Sequence, residues 1–199
     1  MIEMSISVTG GEQPEKLALA GKTASLMRRL GTIGAREIKA YYRGLEQTRP
    51  NQMGWPRRHF WNGIAKAVAL ESSDETTATV GIASPELAHK ITGGTLTPSR
   101  AQMLAIPLTA EAYKMGSPRA WLAKNEAFVI KRKGDMGRAF LARYTDGKYN
   151  QLEILYMLVK SVTQAPDPDA DVPMAQIEPV LVAETDRWLS EHVEAATGK

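Results

Sequence analysis

The hydrophobic pattern of the chain begins with a period of two. Apolar side chains occupy every second position near the start, at Ile2, Met4, Ile6 and Val8. This alternation predicts a strand with one buried face, which Gly10-Gly11 would end.

The spacing of apolar residues then changes to three, four or seven, which is typical of a helix with one buried stripe. The pattern runs from Glu15 to about Leu45, through Leu19, Leu26, Leu30, Ile33, Ile38 and Tyr41. We expect a helix of this length either to lie across a sheet or to break near Gly31 or Gly34, because glycine costs about 1 kcal/mol relative to alanine in a helix interior. Its basic residues, from Arg28 to Arg43, fall largely off the stripe and are interpreted as a solvated face.

The segment 48–58 is rich in turn-forming residues and predicts a loop that carries Trp55. An aromatic residue in a polar loop either anchors the loop to the body of the protein or marks an interface, and we favour anchoring. A short amphipathic helix is predicted from His59 to Leu70. Alternating residues predict a strand from Thr77 to Ile82.

The stretch from His89 to Leu108, HKITGGTLTPSRAQMLAIPL, predicts a turn, a short extended segment, a polar bend and a buried strand. Gly93 and Gly94 allow the chain to reverse with positive φ angles. Pro98 ends the extended segment, and Pro107 closes the apolar run that precedes it. We interpret the stretch as a β-hairpin with a long connection.

The second half of the chain predicts further strands. Phe128–Ile130 and Ala139–Tyr144 flank a basic run, Lys131, Arg132 and Lys133, at an apparent hairpin tip. The segment from Leu152 to Val162 is apolar at both parities, so it is expected to be buried on both faces or to meet another subunit. An acidic, proline-rich segment and a C-terminal helix follow.

Together these elements predict an α+β fold, in which the long N-terminal helix packs across an antiparallel sheet and a second helix ends the chain. At 199 residues, the length suits one core, and we assign a domain over 1–165 and a linker with a helix over 166–199. No apolar run approaches the length that spans a bilayer, so no membrane contact is expected, and the first residues do not resemble a secretory signal. The absence of cysteine excludes disulfides and thiolate metal sites.

The chain carries no motif that indicates catalysis. It has no phosphate-binding glycine loop, and its three histidines, His59, His89 and His192, are far apart in sequence. The spacing of Asp167, Asp169 and Asp171 lacks the glycine and the glutamate of a calcium loop. We therefore expect neither an enzyme nor a bound cofactor or metal. A hydrolase with an unrecognised site stays open as a remote alternative.

The candidate contact residues are polar or aromatic rather than catalytic. Lys131, Arg132, Lys133 and Trp55 are candidates for contact with a partner or with DNA. The three basic residues 131–133, combined with the basic helix face 28–43, offer an alternative function, that of a small basic nucleic-acid-binding protein. The net charge of +3 gives this alternative little support.

An ordered set of motifs between about Val80 and Thr163 resembles the virion-morphogenesis, or tail-completion, proteins of tailed bacteriophages. The set comprises the His89–Leu108 stretch with its "LAIPL" strand, the "GSPR" turn at Gly116–Arg119, the "FVI" strand at Phe128–Ile130, the "FLAR" strand at Phe140–Arg143, and the residues Leu152, Leu155, Tyr156, Leu158, Lys160, Ser161, Val162 and Thr163. Similar proteins often continue with "P-x-R-P-F", whereas this chain has Gln164–Pro168. A contact made by that segment would therefore differ here.

The resemblance implies a small α+β structural protein of the phage neck that finishes the tail or joins it to the head. It implies copies of the chain in a ring, most simply of six, around the DNA channel. Other neck, connector or tail-tube proteins would be neighbours, and contact with passing DNA would be non-specific. The protein would be made in the host cytoplasm and end in the virion.

Overall fold

The computed structural model describes residues 2–7, 22–49, 53–55, 59–124, 126–131, 138–145 and 151–197. It confirms the α+β fold, with a long N-terminal helix, antiparallel sheets and a C-terminal helix. The chain divides into two compact units. Unit 1 comprises Met1–Pro50, His59–Thr92 and Asp167–Lys199, and unit 2 comprises Asn51–Arg58 and Gly93–Pro166.

Unit 1 is built on a three-stranded antiparallel sheet of order β1-β3-β2. Its elements are β1 (Ile2–Ser7), α1 (Thr23–Thr48), α2 (Phe60–Ala67), β2 (Val68–Ser73), β3 (Thr77–Ile82), α3 (Pro85–Thr92), a 3-10 turn (Pro168–Ala170) and α6 (Met174–Thr197). The predicted helix over 59–70 is too long, because Val68 and Leu70 pair with Ile82 and Val80 as part of β2. The start of the predicted long helix, before residue 22, lies outside the described residues.

The long helix α1 crosses the sheet without breaking at its glycines. Gly31 and Gly34 are buried on the face of α1 that packs against β2, β3 and β1. A Cβ atom on Gly31 would lie 2.5 Å from Leu70 Cδ1 and 2.9 Å from Ala78 Cβ, and one on Gly34 would lie 3.0 Å from Ile6 Cδ1. These glycines therefore let the helix approach the sheet closely. Of the two predicted alternatives, the helix lies across the sheet and does not break.

The C-terminal helix α6 shares the core of unit 1. Its buried residues Ile177, Leu181 and Trp188 belong to the same hydrophobic cluster as the apolar stripe of α1, and Arg29 of α1 forms an ion pair with the buried Glu184. The division into units thus differs from the sequence-based division at residue 165, because helical spacing alone does not reveal which core a helix joins.

The acidic segment before α6 is held by basic side chains of unit 1. Arg49 Nη1 donates to Asp167 Oδ1 and Oδ2 at 3.1 and 2.9 Å, and Lys90 Nζ lies 3.1 Å from Asp167 Oδ2. Arg49 also pairs with Asp169, and Tyr41 Oη donates to the carbonyl of Asp169 at 2.7 Å. Burial would raise the pKa of Asp167, but the hydrogen bonds from Lys90 and Arg49 outweigh it and lower that pKa.

Unit 2 contains a four-stranded antiparallel sheet of order β5-β8-β7-β6 and a separate two-stranded ribbon, β4-β9. Its elements are β4 (Gly94–Leu96), β5 (Leu104–Pro107), α4 (Ala110–Met115), α5 (Pro118–Ala123), β6 (Phe128–Lys131), β7 (Arg138–Tyr144), β8 (Leu152–Val159) and β9 (Val162–Gln164). The predicted hairpin between β4 and β5 is wrong, because β4 pairs with β9 and β5 pairs with β8. The apolar run predicted as one strand to Val162 is two strands.

No helix in the described parts of the chain is both long enough and apolar enough to cross a bilayer.

Candidate interaction surface

One face of the four-stranded sheet is covered by α4 and α5. Leu141 and the fully buried Leu155 and Tyr156 pack there against Ala112 of α4 and Trp121 of α5. Leu155 and Tyr156 are adjacent and yet face the same side, because β8 has a bulge. Leu141 pairs with Tyr156 and Ala142 pairs with Ile154, which leaves Leu155 as the extra residue.

Arg143 of β7 bonds to both β8 and α4 on the covered face. Its Nε donates to Glu153 Oε2 at 2.7 Å, its Nη1 donates to Glu111 Oε1 at 3.3 Å, and its guanidinium lies 4.7 Å from the centre of the Trp121 ring. The hydrogen bond with Glu111 is the main reason why the pKa of Arg143 is raised. This arrangement fixes the first turn of α4 against the sheet.

The opposite face of the same sheet is apolar from edge to edge. Directly paired residues on this face form three cross-strand rows: Ile106, Met157, Phe140 and Ile130; Ile154, Ala142 and Phe128; and Leu152 and Tyr144. We call these nine residues the open sheet face. None of them belongs to the hydrophobic cluster that the described residues of unit 2 form. Ala142, at the centre of the face, is fully buried, and the other eight are partly or well exposed.

Four of the large side chains on the open sheet face are well exposed. Leu152 is 48% exposed, Ile154 39%, Tyr144 38% and Phe128 37%. The rings of Phe128 and Tyr144 lie 5.1 Å apart, so the exposed side chains are contiguous. At about 150–250 Å² for a large side chain, these four leave roughly 300 Å² of apolar surface in water. Patches of this size on a single chain often mark interaction sites.

The other end of the sheet is basic. Lys131 ends β6, Arg138 begins β7, and Lys160 follows β8, and all three are exposed. The pairing of Lys131 with Ala139, and of Arg138 with Val159, places them at the same end. Arg138 pairs with Val159, which in turn pairs with Leu104 of β5. Leu104 lies two residues before Ile106, so all three residues are on the same side of the sheet as the open sheet face.

The two units carry net charges of opposite sign. Unit 2 contains 13 basic and 5 acidic residues, a net charge of +8, and unit 1 contains 12 basic and 17 acidic residues, a net charge of −5, which together give the +3 of the chain. The small total charge conceals this separation. Counting charges along the sequence could have revealed it only after the division into units was known.

The glycine turn has the predicted conformation. Gly93 and Gly94 have φ angles of 66° and 126°, so both occupy the region that favours glycine. A Cβ atom on Gly93 would also lie 2.7 Å from the backbone nitrogen of Pro166 and 2.8 Å from the carbonyl oxygen of Gln164. Pro98 follows β4 and is half-buried, and Pro107 is the last residue of β5, an edge strand of its sheet.

The structure separates the other predicted contact residues. The ring of Trp55 is half-buried and its centre lies 5.2 Å from that of Tyr113. This contact within unit 2 is of the kind expected for a residue that anchors its loop. Lys131 is exposed, whereas Arg132 and Lys133 lie outside the described residues. The helix face 28–43 belongs to the acidic unit 1 instead, and its Arg29 and Arg36 pair with acidic side chains.

In the acidic segment, Asp167 and Asp169 form ion pairs with Arg49, and Asp167 also pairs with Lys90. Within the described residues, no group of three or more His, Asp or Glu side chains could hold a metal ion.

Comparisons with protein-family models, curated proteins and solved structures give no match for this chain.

Proposed function

We propose that the protein is a structural subunit of a phage neck, where it completes the tail or joins it to the head as a homo-oligomeric ring around the DNA channel. The open sheet face is the observation that supports self-association, because four of its large side chains remain well exposed to water in the isolated chain. The motif resemblance supports a location in the neck of the virion. Six copies would match the rotational symmetry of a tail most simply.

A ring of this kind would bring other virion proteins into contact with it. Connector and tail-tube proteins would lie above and below, and the protein would be found in the virion after synthesis in the host cytoplasm. The proposed activity is assembly rather than catalysis. A roughly 300 Å² apolar patch is small beside the roughly 800 Å² per partner of a stable interface, so we expect weak association in dilute solution.

The test compares two exposed leucines of unit 2. Leu152→Ser removes an apolar side chain from the open sheet face, whereas Leu122→Ser changes one on α5, outside that face. Sedimentation velocity between about 10 μM and 1 mM should show oligomers for the wild type and for Leu122→Ser, and loss of oligomers for Leu152→Ser. Equal behaviour of both variants would contradict a role for the face. A particle map with a single copy would contradict the ring.

The second candidate function is nucleic-acid binding, and the +8 charge of unit 2 is the observation that favours it. Binding carried by phosphate contacts weakens steeply as salt rises, whereas an assembly held by apolar contacts does not. Fluorescence anisotropy with a labelled DNA duplex at 50 and 200 mM salt would separate the two. An affinity that falls by about 10³-fold or more would favour nucleic-acid binding.

A further inference from the structure

We propose that the open sheet face binds the outer face of α6 from a second copy of the chain, so that copies associate head to tail. The inference rests on the proposed self-association and identifies the complementary surface. Such a contact joins two different surfaces, and its repetition closes a ring or extends a filament.

The outer face of α6 combines exposed apolar and acidic side chains. Glu178, Val182, Asp186 and Leu189 are spaced by four, four and three residues, so they lie on one exposed side of the helix, beside the buried stripe of Ile177, Leu181 and Trp188. Val182 is 52% exposed and Leu189 is 38% exposed. Helices of soluble proteins usually present polar residues at such positions. Val182 and Leu189 therefore form a second exposed apolar site, outside the core of unit 1.

The charges of the two surfaces are complementary. Glu178 and Asp186 form no ion pair with any residue that the structure describes, and the same holds for Arg138, which lies beside the open sheet face. The net charges of the whole units have the same signs, since the acidic unit 1 contains α6 and the basic unit 2 contains the four-stranded sheet. Opposite charges steer two copies into a head-to-tail encounter, whereas two sheet faces would bring like charges together.

The dimensions of the two surfaces also agree. Glu178 and Leu189 are eleven residues apart on a helix, a distance of about 16 Å. Arg138 and Tyr144 are six residues apart on a strand, a distance of about 20 Å. A helix lying along β7 and β8 can therefore set Leu189 against the exposed Leu152 and Tyr144 while Glu178 reaches Arg138.

The absence of cysteine from the chain allows a direct test by disulfide cross-linking. Full-length Leu152→Cys and Leu189→Cys variants are mixed at about 1 mM under mild oxidation. Cysteine keeps a small apolar side chain at each position, unlike the serine of Leu152→Ser. We expect the mixed dimer to form at least tenfold faster than either self-linked dimer. Glu75→Cys, in the exposed turn between β2 and β3, replaces Leu189→Cys in the control mixture.

Self-linked Leu152→Cys dimers that form as fast as the mixed dimer would overturn the inference, because they indicate contact between two sheet faces. A mixed dimer no faster than the Glu75→Cys control would also overturn it. If wild-type oligomers persist in that case, the ring proposal stands with another interface. If the wild type is monomeric and the particle contains one copy, both proposals fail.

A charge exchange provides an independent readout. Arg138→Glu and Glu178→Arg should each weaken association roughly tenfold at low salt, and the variant with both changes should return to within about twofold of the wild type, since each copy then presents complementary charges again. Circular dichroism of each monomer verifies its fold. Failure of the double variant to recover, with both single variants weakened, would contradict the pairing.

Discussion

The close approach of α1 to its sheet predicts opposite effects for two glycine substitutions in one helix. Alanine at Gly44 meets no atom within 4 Å, so Gly44→Ala should stabilise the helix by about 1 kcal/mol through its better propensity. Gly31→Ala gains the same propensity but places its Cβ atom against Leu70 and Ala78. Leu70 Cδ1 can rotate away, whereas Ala78 Cβ moves only with the backbone of β3.

The net effect at Gly31 follows from these opposing contributions. Overpacking of a tight core costs about 1–3 kcal/mol, from which the propensity gain of about 1 kcal/mol is subtracted. Gly31→Ala should therefore lower the free energy of unfolding by about 1 kcal/mol, and the two variants should differ by about 2 kcal/mol. For a chain of this size, that difference corresponds to a Tm separation of roughly 4–8 °C.

Urea denaturation followed by far-UV circular dichroism measures this difference, since the long helices α1 and α6 both belong to unit 1. Ala78→Gly removes the Cβ atom that cannot rotate away, so it should recover part of the loss when combined with Gly31→Ala. Gly31→Ala as stable as Gly44→Ala would refute the reasoning, because the helix would then tolerate a methyl group at its closest contact.

Three further predictions concern the turn, the acidic segment and the basic run. Gly93→Val should destabilise by roughly 1 kcal/mol or more, because valine tolerates neither the positive φ nor the contact with Pro166; an unchanged urea midpoint would contradict this. Asp167→Asn should lower the free energy of unfolding by about 1–2 kcal/mol at pH 7. The difference from the wild type should shrink below about pH 4, as the pH falls through the lowered pKa of Asp167. A difference that stays constant between pH 7 and pH 3 would show that the charge is unimportant. Serine at all three positions of the basic run 131–133 should leave the Tm nearly unchanged and reduce contact with a partner or DNA, whereas a large fall in Tm would show that the run is structural.

The sequence was sufficient where structure depends on neighbouring residues. Alternation along Thr77–Ile82 predicts a strand that the structure contains, and the Gly93-Gly94 pair predicts the positive φ angles. These features depend on local sterics and on a single buried face. They can therefore be recognised without knowing which other segment lies beside them.

The sequence was insufficient where structure depends on distant partners. Nothing local indicates that β4 pairs with β9 rather than with β5, or that α6 shares a core with α1. The candidate surface was anticipated only in part. The apolar character of β8 at both parities predicted either burial of both faces or contact with another subunit, but the bulge at Leu155 decides which residues lie on each face.

The pairing of β4 with β9 also affects how easily unit 1 can fold. Unit 2 interrupts unit 1 between Thr92 and Asp167, yet Gly94 is paired with Gln164, and Asp167 N donates to the carbonyl of Lys90 at 2.9 Å. When residues up to Thr92 are folded and unit 2 is not, docking α6 on α1 closes a loop made of the 74 residues 93–166, whereas the formed ribbon shortens that loop to a few residues. By the logarithmic dependence of loop entropy on length, this shortening lowers the cost of closure by about 2–3 kcal/mol. The two-stranded ribbon thus acts as a cross-link without a covalent bond, and weakening it would raise the entropic cost of folding unit 1.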